Sequence, residues 1–303
     1  MNSETKELEL VLNAIQRTCR YDFRHYTRPS LHRRLTSLQT QSNLPQLADM
    51  VPWILHDANF LNQVLRTLSI AVTELFRDPS SYQTIRRKVV PTLKALPSLK
   101  IWHAGCATGE EVYSLAILLK EEGLYDRARI YATDFNNSSL HAAEKGIYSL
   151  ETIRKGASNY LAAGGHGSFS DYYHAQYRSA KIQECLKENI TFSHHNLVLD
   201  GSFGEMDLIL CKNVMIYFDQ SLKQRVYSLF SESLREGGFL CLGAKETLDF
   251  SYVRESFGRD VEEEKIYRKK VDTYHRMDLD RLDRIAKPFS VEDVTSQPRV
   301  ARS

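Results

Sequence analysis

Strand-like and helix-like segments alternate from residue 99 onward, and this alternation limits the fold more than any other feature of the sequence. Residues 99–105 form a short apolar run that ends in a glycine turn, and residues 110–122 carry apolar side chains at helical spacing. Residues 129–134 predict a second strand and residues 137–145 a second helix. Such alternation is typical of a mostly parallel sheet covered on both faces, so we expect an α/β protein with a doubly wound, Rossmann-like sheet.

The same rhythm continues to residue 243, with one interruption. Residues 190–195, 206–211 and 239–243 predict further strands, and an amphipathic helix precedes the glycine pair at 237–238. Residues 148–188 break the pattern with a glycine cluster and an aromatic stretch. We interpret this segment as a small inserted β-subdomain with short strands.

The region before the sheet has a different character. Apolar residues recur at helical spacing and no strand pattern occurs before residue 99, so residues 1–80 predict an all-helical N-terminal domain. Six arginines lie between Arg17 and Arg34, against a single acid, Asp22. A solvated helix face with local ion pairs is the usual meaning of such a run, and a docking surface for an acidic partner is the alternative. Residues 81–270 form the second domain, and residues 271–303 a charged C-terminal tail.

Composition and charge exclude several classes of function. The 303 residues include 40 Lys and Arg against 38 Asp and Glu, and this near balance argues against wrapping of nucleic acid. The longest apolar run, residues 113–119, is far shorter than the roughly 20 residues that cross a bilayer, so no membrane insertion is expected. The five cysteines include no C-x-x-C pair, so we expect no metal site. Without a visible secretory signal, a cytoplasmic protein is the expectation.

The turn after the first strand is the expected ligand site, because doubly wound sheets bind ligands at the carboxyl ends of their strands. It has glycines only at Gly105 and Gly109, which fits a dinucleotide fingerprint poorly. Glu110 and Glu111 then open the helix, and their charge disfavours a pyrophosphate and suits a cationic or zwitterionic ligand. Asp134, at the tip of the second strand, can accept hydrogen bonds from ribose hydroxyls. A tight turn, a stabilised helix start and a solvated strand end would explain these residues singly. A nucleoside with an amino-acid tail, such as S-adenosylmethionine, explains them jointly.

Five motifs occur in the order found in one known family. They are T-E-L-F-R-D from Thr73, A-G-C-A-T-G-E-E-V-Y-S from Ala104, A-T-D ending at Asp134, N-L at Asn196, and D-L-I-L-C-K-N-V-M-I-Y-F-D from Asp207. With them the chain resembles the chemotaxis receptor methyltransferases (CheR) over about residues 15–270. The resemblance implies a class I methyltransferase sheet. It also implies methyl transfer from S-adenosylmethionine to glutamate side chains in the acidic helical region of a chemoreceptor.

The resemblance also implies roles for individual residues. Thr73 and Arg77 close over the methionine end of the cofactor, Glu111 with Glu110 holds its ammonium group, and Asp134 takes the ribose. The remaining cofactor residues it implies are Gly105, Asn196, Leu197, Lys212 and Asn213. Tyr217 lies near the transferring methyl group and helps to place the acceptor, and Arg28, Arg33 and Arg34 dock the receptor. For Arg77 two roles stay open, steering of the acceptor carboxylate and binding of the cofactor's own carboxylate.

Three positions depart from the family pattern. Ala71 stands where the family often has Asn, Lys212 replaces a usual Arg, and Val112 a usual Pro. An arginine donates through a planar fork whereas a lysine is a point charge, so the second change alters the geometry of a contact.

The sequence therefore predicts an S-adenosylmethionine-dependent protein-glutamate methyltransferase acting on a chemoreceptor or a receptor-like signalling protein. The acceptor needs no general base, because a glutamate with a pKa near ~4.3 is already ionised at neutral pH. Two alternatives stay open. One is a module that binds S-adenosylmethionine for signalling without turnover, and the other is a methyltransferase with a small-molecule acceptor.

Overall fold

The N-terminal part of the computed structural model is a bundle of helices around one apolar core. The structure describes residues 3–19, 21–69, 73–261 and 264–271. Four α-helices precede residue 70: α1 (Ser3–Cys19), α2 (Arg28–Gln41), α3 (Met50–His56) and α4 (Ala58–Leu68). The face of α1 that carries Leu8, Val11, Leu12 and Ile15 is buried, as the helical spacing of these residues predicts. The expected all-helical domain is confirmed.

A short helical connection leads from this bundle to the sheet. It consists of α5 (Pro79–Thr84), a π-helical turn (Ile85–Val89) and α6 (Val90–Lys94). Ala71, one of the three positions that depart from the family pattern, lies outside the described residues. The predicted C-terminal tail also lies outside them, apart from Val271.

Among the described residues the main sheet has seven strands, and the five that follow one another from one edge are parallel. The parallel strands are β1 (Leu99–Ala104), β2 (Ala128–Asp134), β6 (Ile190–His194), β7 (Met206–Cys211) and β8 (Leu234–Leu242). Antiparallel strands β9 (Phe257–Val261) and β10 (Ile266–Lys269) complete the order β6-β2-β1-β7-β8-β10-β9. The chain proceeds from β1 to β2 on one side and later to β7 on the other. The switch point of this sheet therefore lies between the carboxyl ends of β1 and β7.

Helices cover both faces of the sheet, which confirms the doubly wound architecture. They are α7 (Glu110–Glu121), α8 (Asn137–Lys145) and α10 (Gln220–Ser233). Ile101 belongs to the apolar cluster that includes α7, whereas its neighbour Trp102 belongs to the cluster that includes α10. Alternate residues of β1 thus enter different cores, and this explains why the strand is apolar almost throughout.

The interruption of the βα pattern is a separate small sheet, as expected. Strands β3 (Ile147–Ser149), β4 (Tyr173–Gln176) and β5 (Ser179–Ile182) pair antiparallel in the order β3-β5-β4. A helix that the sequence analysis did not anticipate, α9 (Leu150–Ala162), lies between β3 and β4. Gly156 of α9 is close to the segment before α5, since a Cβ there would stand 2.8 Å from Leu75 Cβ.

Two predicted boundaries are wrong. Helix α10 ends at Ser233 and β8 begins at once, so the glycine pair lies inside the strand. Gly237 has φ +74°, and the pairing of β8 with β7 shifts register there, so the glycines form a bulge and not a helix stop. Strand β7, in contrast, ends at Cys211 as predicted, and a 3-10 turn follows it at Met215–Tyr217.

Candidate cofactor site

A pocket opens at the switch point of the sheet. Six residues predicted for the site line it: Gly105, Asp134, Asn196, Leu197, Asn213 and Tyr217. They come from the carboxyl end of β2 and from the segments after β1, β6 and β7, which meet because the carboxyl ends of parallel strands share one edge.

The first turn brings two loops into contact. Gly105 has φ +74°, and a Cβ at this position would stand 2.5 Å from Val214 Cγ2. A glycine is therefore required both by the left-handed backbone and by the approach of the loop after β7. Ala107 also has a positive φ, +49°, and its backbone N–H donates to Asp134 Oδ2 at 2.9 Å.

Asp134 is held by the backbone on both of its oxygens. Oδ1 accepts from the N–H of Asn136 at 2.9 Å, while Oδ2 accepts from Ala107. Burial raises the pKa of Asp134 above its usual value, and these donors act against that rise. A carboxylate has about four acceptor positions, so roughly two are left for the hydroxyls of a ligand.

Lys212 occupies the space between the first turn of α7 and the segment before α5. Its Nζ lies 3.0 Å from Glu111 Oε1 and donates to the Arg77 carbonyl at 3.1 Å. The ammonium also stands over the ring of Tyr82, 5.1 Å from the centroid. Lys212 is buried, so its charge is balanced inside the protein mainly by Glu111. An incoming ammonium group would share Glu111 with this lysine.

The two glutamates of α7 differ in their surroundings. Glu110 Oε2 accepts a hydrogen bond from Thr108 Oγ1 at 2.7 Å, within its own turn. Burial raises the pKa of Glu110 to about 7. Glu111, in contrast, faces a positive charge 3.0 Å away. The two carboxylates therefore differ: Glu111 faces a cation, whereas Glu110 is buried beside a neutral hydroxyl donor, and its pKa is raised.

Two buried polar atoms of the pocket-lining residues have no hydrogen-bond partner among the described residues. They are Asn213 Oδ1 and His195 Nδ1. Thr73 Oγ1 is also buried without such a partner, but Thr73 is not among the lining residues. Leaving a buried polar group unsatisfied costs about 1–3 kcal/mol, so such atoms are rare unless a ligand or water completes them. Asn213 lines the pocket and has φ +62°, a further cost for a residue with a side chain. Both observations fit a polar ligand.

Asn196 and Leu197 form the wall beside β6. Asn196 Oδ1 accepts from the N–H of Val198 at 2.9 Å, and the Asn196 N–H donates to Asp200 Oδ2 at 2.7 Å. Asn196 thus shapes the turn, while the buried Leu197 offers an apolar surface to the pocket.

The helical domain contributes to the pocket, which the sequence analysis missed. Tyr26, Leu68 and Ser69 are among the lining residues. The Tyr26 ring packs edge-on against Phe218 with centroids 4.9 Å apart, and Asn136 Nδ2 donates to Ser69 Oγ at 2.6 Å. No local pattern marks these residues, because their partners lie far along the chain.

The three arginines expected to dock a partner are not equivalent. Arg28 is exposed and pairs with Glu9 at 2.7 Å, and Arg33 is also exposed. Arg34 is partly buried, donates to the Thr67 carbonyl at 3.2 Å and stands over the Tyr217 ring, 5.4 Å from the centroid. Arg34 does not lie on an open face, because it packs against the aromatic side chain of the pocket wall.

The fold and the pocket define a doubly wound α/β protein with a ligand site at the switch point of its sheet and an all-helical domain before it. The family model that matches the sheet region assigns this class to the S-adenosylmethionine-dependent methyltransferases. Residues 71–266 match the family model described as "CheR methyltransferase, SAM binding domain", and residues 6–69 match "CheR methyltransferase, all-alpha domain". The chain belongs to the CheR methyltransferase family.

Curated relatives agree with this membership. The chain is 44% identical to a Pseudomonas putida protein that carries the name methyltransferase Cher3, over 87% of this chain and 96% of the relative. It is 27% identical to chemotaxis protein methyltransferase 1 of Pseudomonas aeruginosa, over 82% of this chain and 93% of the relative. It also matches an uncharacterized 104.1 kDa protein of Rhodobacter capsulatus at 31% identity, covering 75% of this chain and 24% of that protein. Among the described residues, no helix is both long and apolar enough to cross a membrane.

Proposed function

We propose that this protein transfers a methyl group from S-adenosylmethionine to glutamate side chains of a chemoreceptor or a receptor-like signalling protein, giving glutamate methyl esters. The observation that carries the proposal is the pocket at the switch point. Its lining combines the Asp134 carboxylate, an acceptor for hydroxyls, with the buried Asn213 Oδ1 that has no partner among the described residues. Glu111, the carboxylate proposed for an ammonium group, opens α7 beside Lys212 and is not itself among the lining residues.

The residues present fit S-adenosylmethionine. Asp134 would accept from the ribose hydroxyls, and Glu111 with Glu110 would hold the ammonium group. Thr73 and Arg77 would bind the methionine end, with Lys212 fixing their segment through the Arg77 carbonyl. Asn196 and Leu197 would lie along the adenine, and Asn213 would complete the polar contacts. When bound, S-adenosylmethionine supplies an electrophilic methyl group on a sulfonium whose sulfur leaves uncharged.

The chemistry demands little from ionisable protein groups. An acceptor glutamate is already an anion at neutral pH, so its alignment with the methyl group is the main requirement. The opposite charges cancel during transfer, and water would stabilise the separated charges more than the transition state. Tyr217 and the buried Phe218 line the pocket and exclude water from it. We assign Tyr217, and Arg77 with it, to the placement of the acceptor.

Two observations support a protein acceptor in a chemosensory pathway. Relatives such as that of Pseudomonas aeruginosa are named chemotaxis protein methyltransferases. The exposed Arg28 and Arg33 of the helical domain offer positive charge to an acidic helical region of a partner. Such contacts set encounter rate and orientation more than affinity.

One observation favours the alternative of a non-catalytic S-adenosylmethionine-binding module. The Lys212 ammonium lies 3.0 Å from the carboxylate proposed to hold the ammonium of the cofactor, and this competition would weaken cofactor binding. A sensor with weak affinity and no turnover would tolerate that arrangement.

Radiolabelled S-adenosylmethionine distinguishes the two functions. The protein is incubated with the labelled cofactor and with membranes of its own organism, and label on protein is tested for release by alkali. We expect alkali-labile label, because carboxyl methyl esters hydrolyse in base, and its loss with Asp134→Ala. Cofactor binding by the protein without transfer of label to protein would favour the binding module. Alkali-stable label would contradict glutamate as the acceptor.

A further inference from the structure

A buried glutamate beyond β8 accepts hydrogen bonds from four backbone amides. Glu246 is 4% exposed. Its Oε2 accepts from the N–H of Asn213 at 2.9 Å and of Gly243 at 2.7 Å. Its Oε1 accepts from Val214 at 3.0 Å and Met215 at 2.7 Å. One carboxylate thus holds three consecutive amides of the loop that leads from β7 to Tyr217.

The amides of Asn213 and Val214 lie between two regular elements and belong to neither. Strand β7 ends at Cys211 and the 3-10 turn begins only at Met215, so a side chain must satisfy the intervening donors. Asn213 is in the left-handed region, a conformation that persists only where the surroundings enforce it. The backbone of Gly243 also packs closely against Glu246 and Asn213. A Cβ on Gly243 would stand 2.7 Å from Glu246 Oε2 and 2.8 Å from the Asn213 nitrogen.

We infer that Glu246 is the positioning residue of the active-site turn. It touches neither the pocket nor a ligand, and it acts by fixing the backbone from which the Asn213 and Tyr217 side chains enter the pocket. A carboxylate is required because all four neighbours are donors. A glutamine would present its NH₂ group to two N–H groups and lose both hydrogen bonds.

The inference rests on the proposed function only in using S-adenosylhomocysteine as a probe, and one readout does not use it at all. Hydrogen exchange of the amides of residues 213–215 is measured without ligand in Glu246→Gln. The matched control is Asp207→Asn. Asp207 is also buried and accepts a backbone N–H, that of Lys100 at 2.8 Å, but it lies at the opposite end of β7.

We expect these amides to exchange faster in Glu246→Gln and to stay protected in Asp207→Asn. Calorimetry at a temperature where both variants are folded should show affinity for S-adenosylhomocysteine at least tenfold lower in the first variant alone. Unchanged protection in Glu246→Gln would overturn the inference, as would an equal loss of affinity in both variants. A wild type that binds the probe but methylates no receptor would contradict the proposed function and leave the inference intact.

A second variant tests whether Glu246 affects binding through Asn213. Asn213→Gly removes the side chain while tolerating the left-handed backbone. If Glu246 acts through Asn213, the double variant Glu246→Gln/Asn213→Gly should bind S-adenosylhomocysteine no more weakly than Glu246→Gln. Additive losses would show that the two residues act independently and would contradict the inference. Should Glu246→Gln fail to fold, Glu246→Asp keeps the charge with a shorter reach and takes the same measurements.

Discussion

The core of the helical domain and the carboxyl edge of the sheet are built from opposite kinds of residue. In the helical domain the buried side chains form a single apolar cluster, from Leu8 to Leu68. Every buried polar or charged side chain among the described residues lies at Ser81 or later. Several of these, such as Glu111, Asn196, Lys212 and Glu246, surround the pocket or hold its loops in place.

This difference shows where stability and binding are located. Apolar burial stabilises by about 25 cal/mol per Å² of buried surface and has no direction, so the helical core contributes stability without specifying a ligand. Buried polar groups cost free energy unless each finds a partner, and a fold retains them where they hold a loop or a ligand. Substitutions in the two regions should therefore affect different quantities.

The largest effect should follow from a cavity in the helical core. Leu12 is 1% exposed in α1. Leu12→Ala should lower the free energy of unfolding by about 2–5 kcal/mol, because it removes buried methyl groups and leaves a void. Urea denaturation measures this change. Calorimetry of the folded variant should give wild-type affinity for S-adenosylhomocysteine. A large drop in this affinity would show that the two regions do not act independently.

Asp134→Ala should have the converse effect. Each charge-assisted hydrogen bond contributes roughly 1.5–3 kcal/mol, so loss of the bonds to the ribose should weaken S-adenosylhomocysteine binding at least tenfold. Calorimetry on the folded variant measures the affinity. Unchanged affinity would remove Asp134 from the site.

A control is needed because Asp134 also holds the amides of Ala107 and Asn136. A 2′-deoxy analogue of S-adenosylhomocysteine should bind the wild type more weakly than S-adenosylhomocysteine does. In Asp134→Ala the two compounds should bind with nearly equal affinity. Full additivity of the two losses would assign Asp134 to loop support alone.

Tyr217→Phe should separate binding from turnover. The change keeps the ring that lines the pocket and contacts the Arg34 guanidinium, and it deletes one hydroxyl. A lost hydrogen bond of about 0.5–1.5 kcal/mol made mainly in the transition state should lower kcat roughly two- to tenfold with little change in affinity. Collapse of cofactor affinity with normal turnover at saturation would instead make Tyr217 a cofactor residue.

The smallest effect should come from the exposed arginines of the helical domain. Arg28→Ala/Arg33→Ala should slow receptor methylation a few-fold, since exposed ion pairs contribute only ~0–1 kcal/mol each. Affinity for S-adenosylhomocysteine and thermal stability should match the wild type. Added salt should slow the wild type more than the variant, because salt screens contacts that the variant lacks. Equal salt sensitivity would assign both arginines to a solvated face.

Arg34 is not part of that variant because it contacts Tyr217. Its loss could change both the docking of the receptor and the position of the Tyr217 ring. Arg34→Ala, measured alone, should lower turnover at saturating receptor, whereas loss of a docking contact would raise KM.

The sequence by itself determined the layout of the sheet and the edge that carries the site. Periodicity is a local property, and the boundaries of α8 and β7 were predicted from it without error. The position of Asp134, Asn196 and Asn213 around one pocket also follows from sequence, since residues just after parallel strands meet at one edge.

Only the tertiary structure decided which charged and polar groups became partners. Lys212 meets the Arg77 carbonyl across 135 positions of the chain, and Glu246 holds the amides of residues more than 30 positions earlier. Arg28 and Arg34 belong to one basic run, yet one is exposed and the other lies against Tyr217. Apolar periodicity specifies the face that a side chain occupies. The choice of a polar partner depends on distances and directions of a few ångströms, which exist only after the chain has folded.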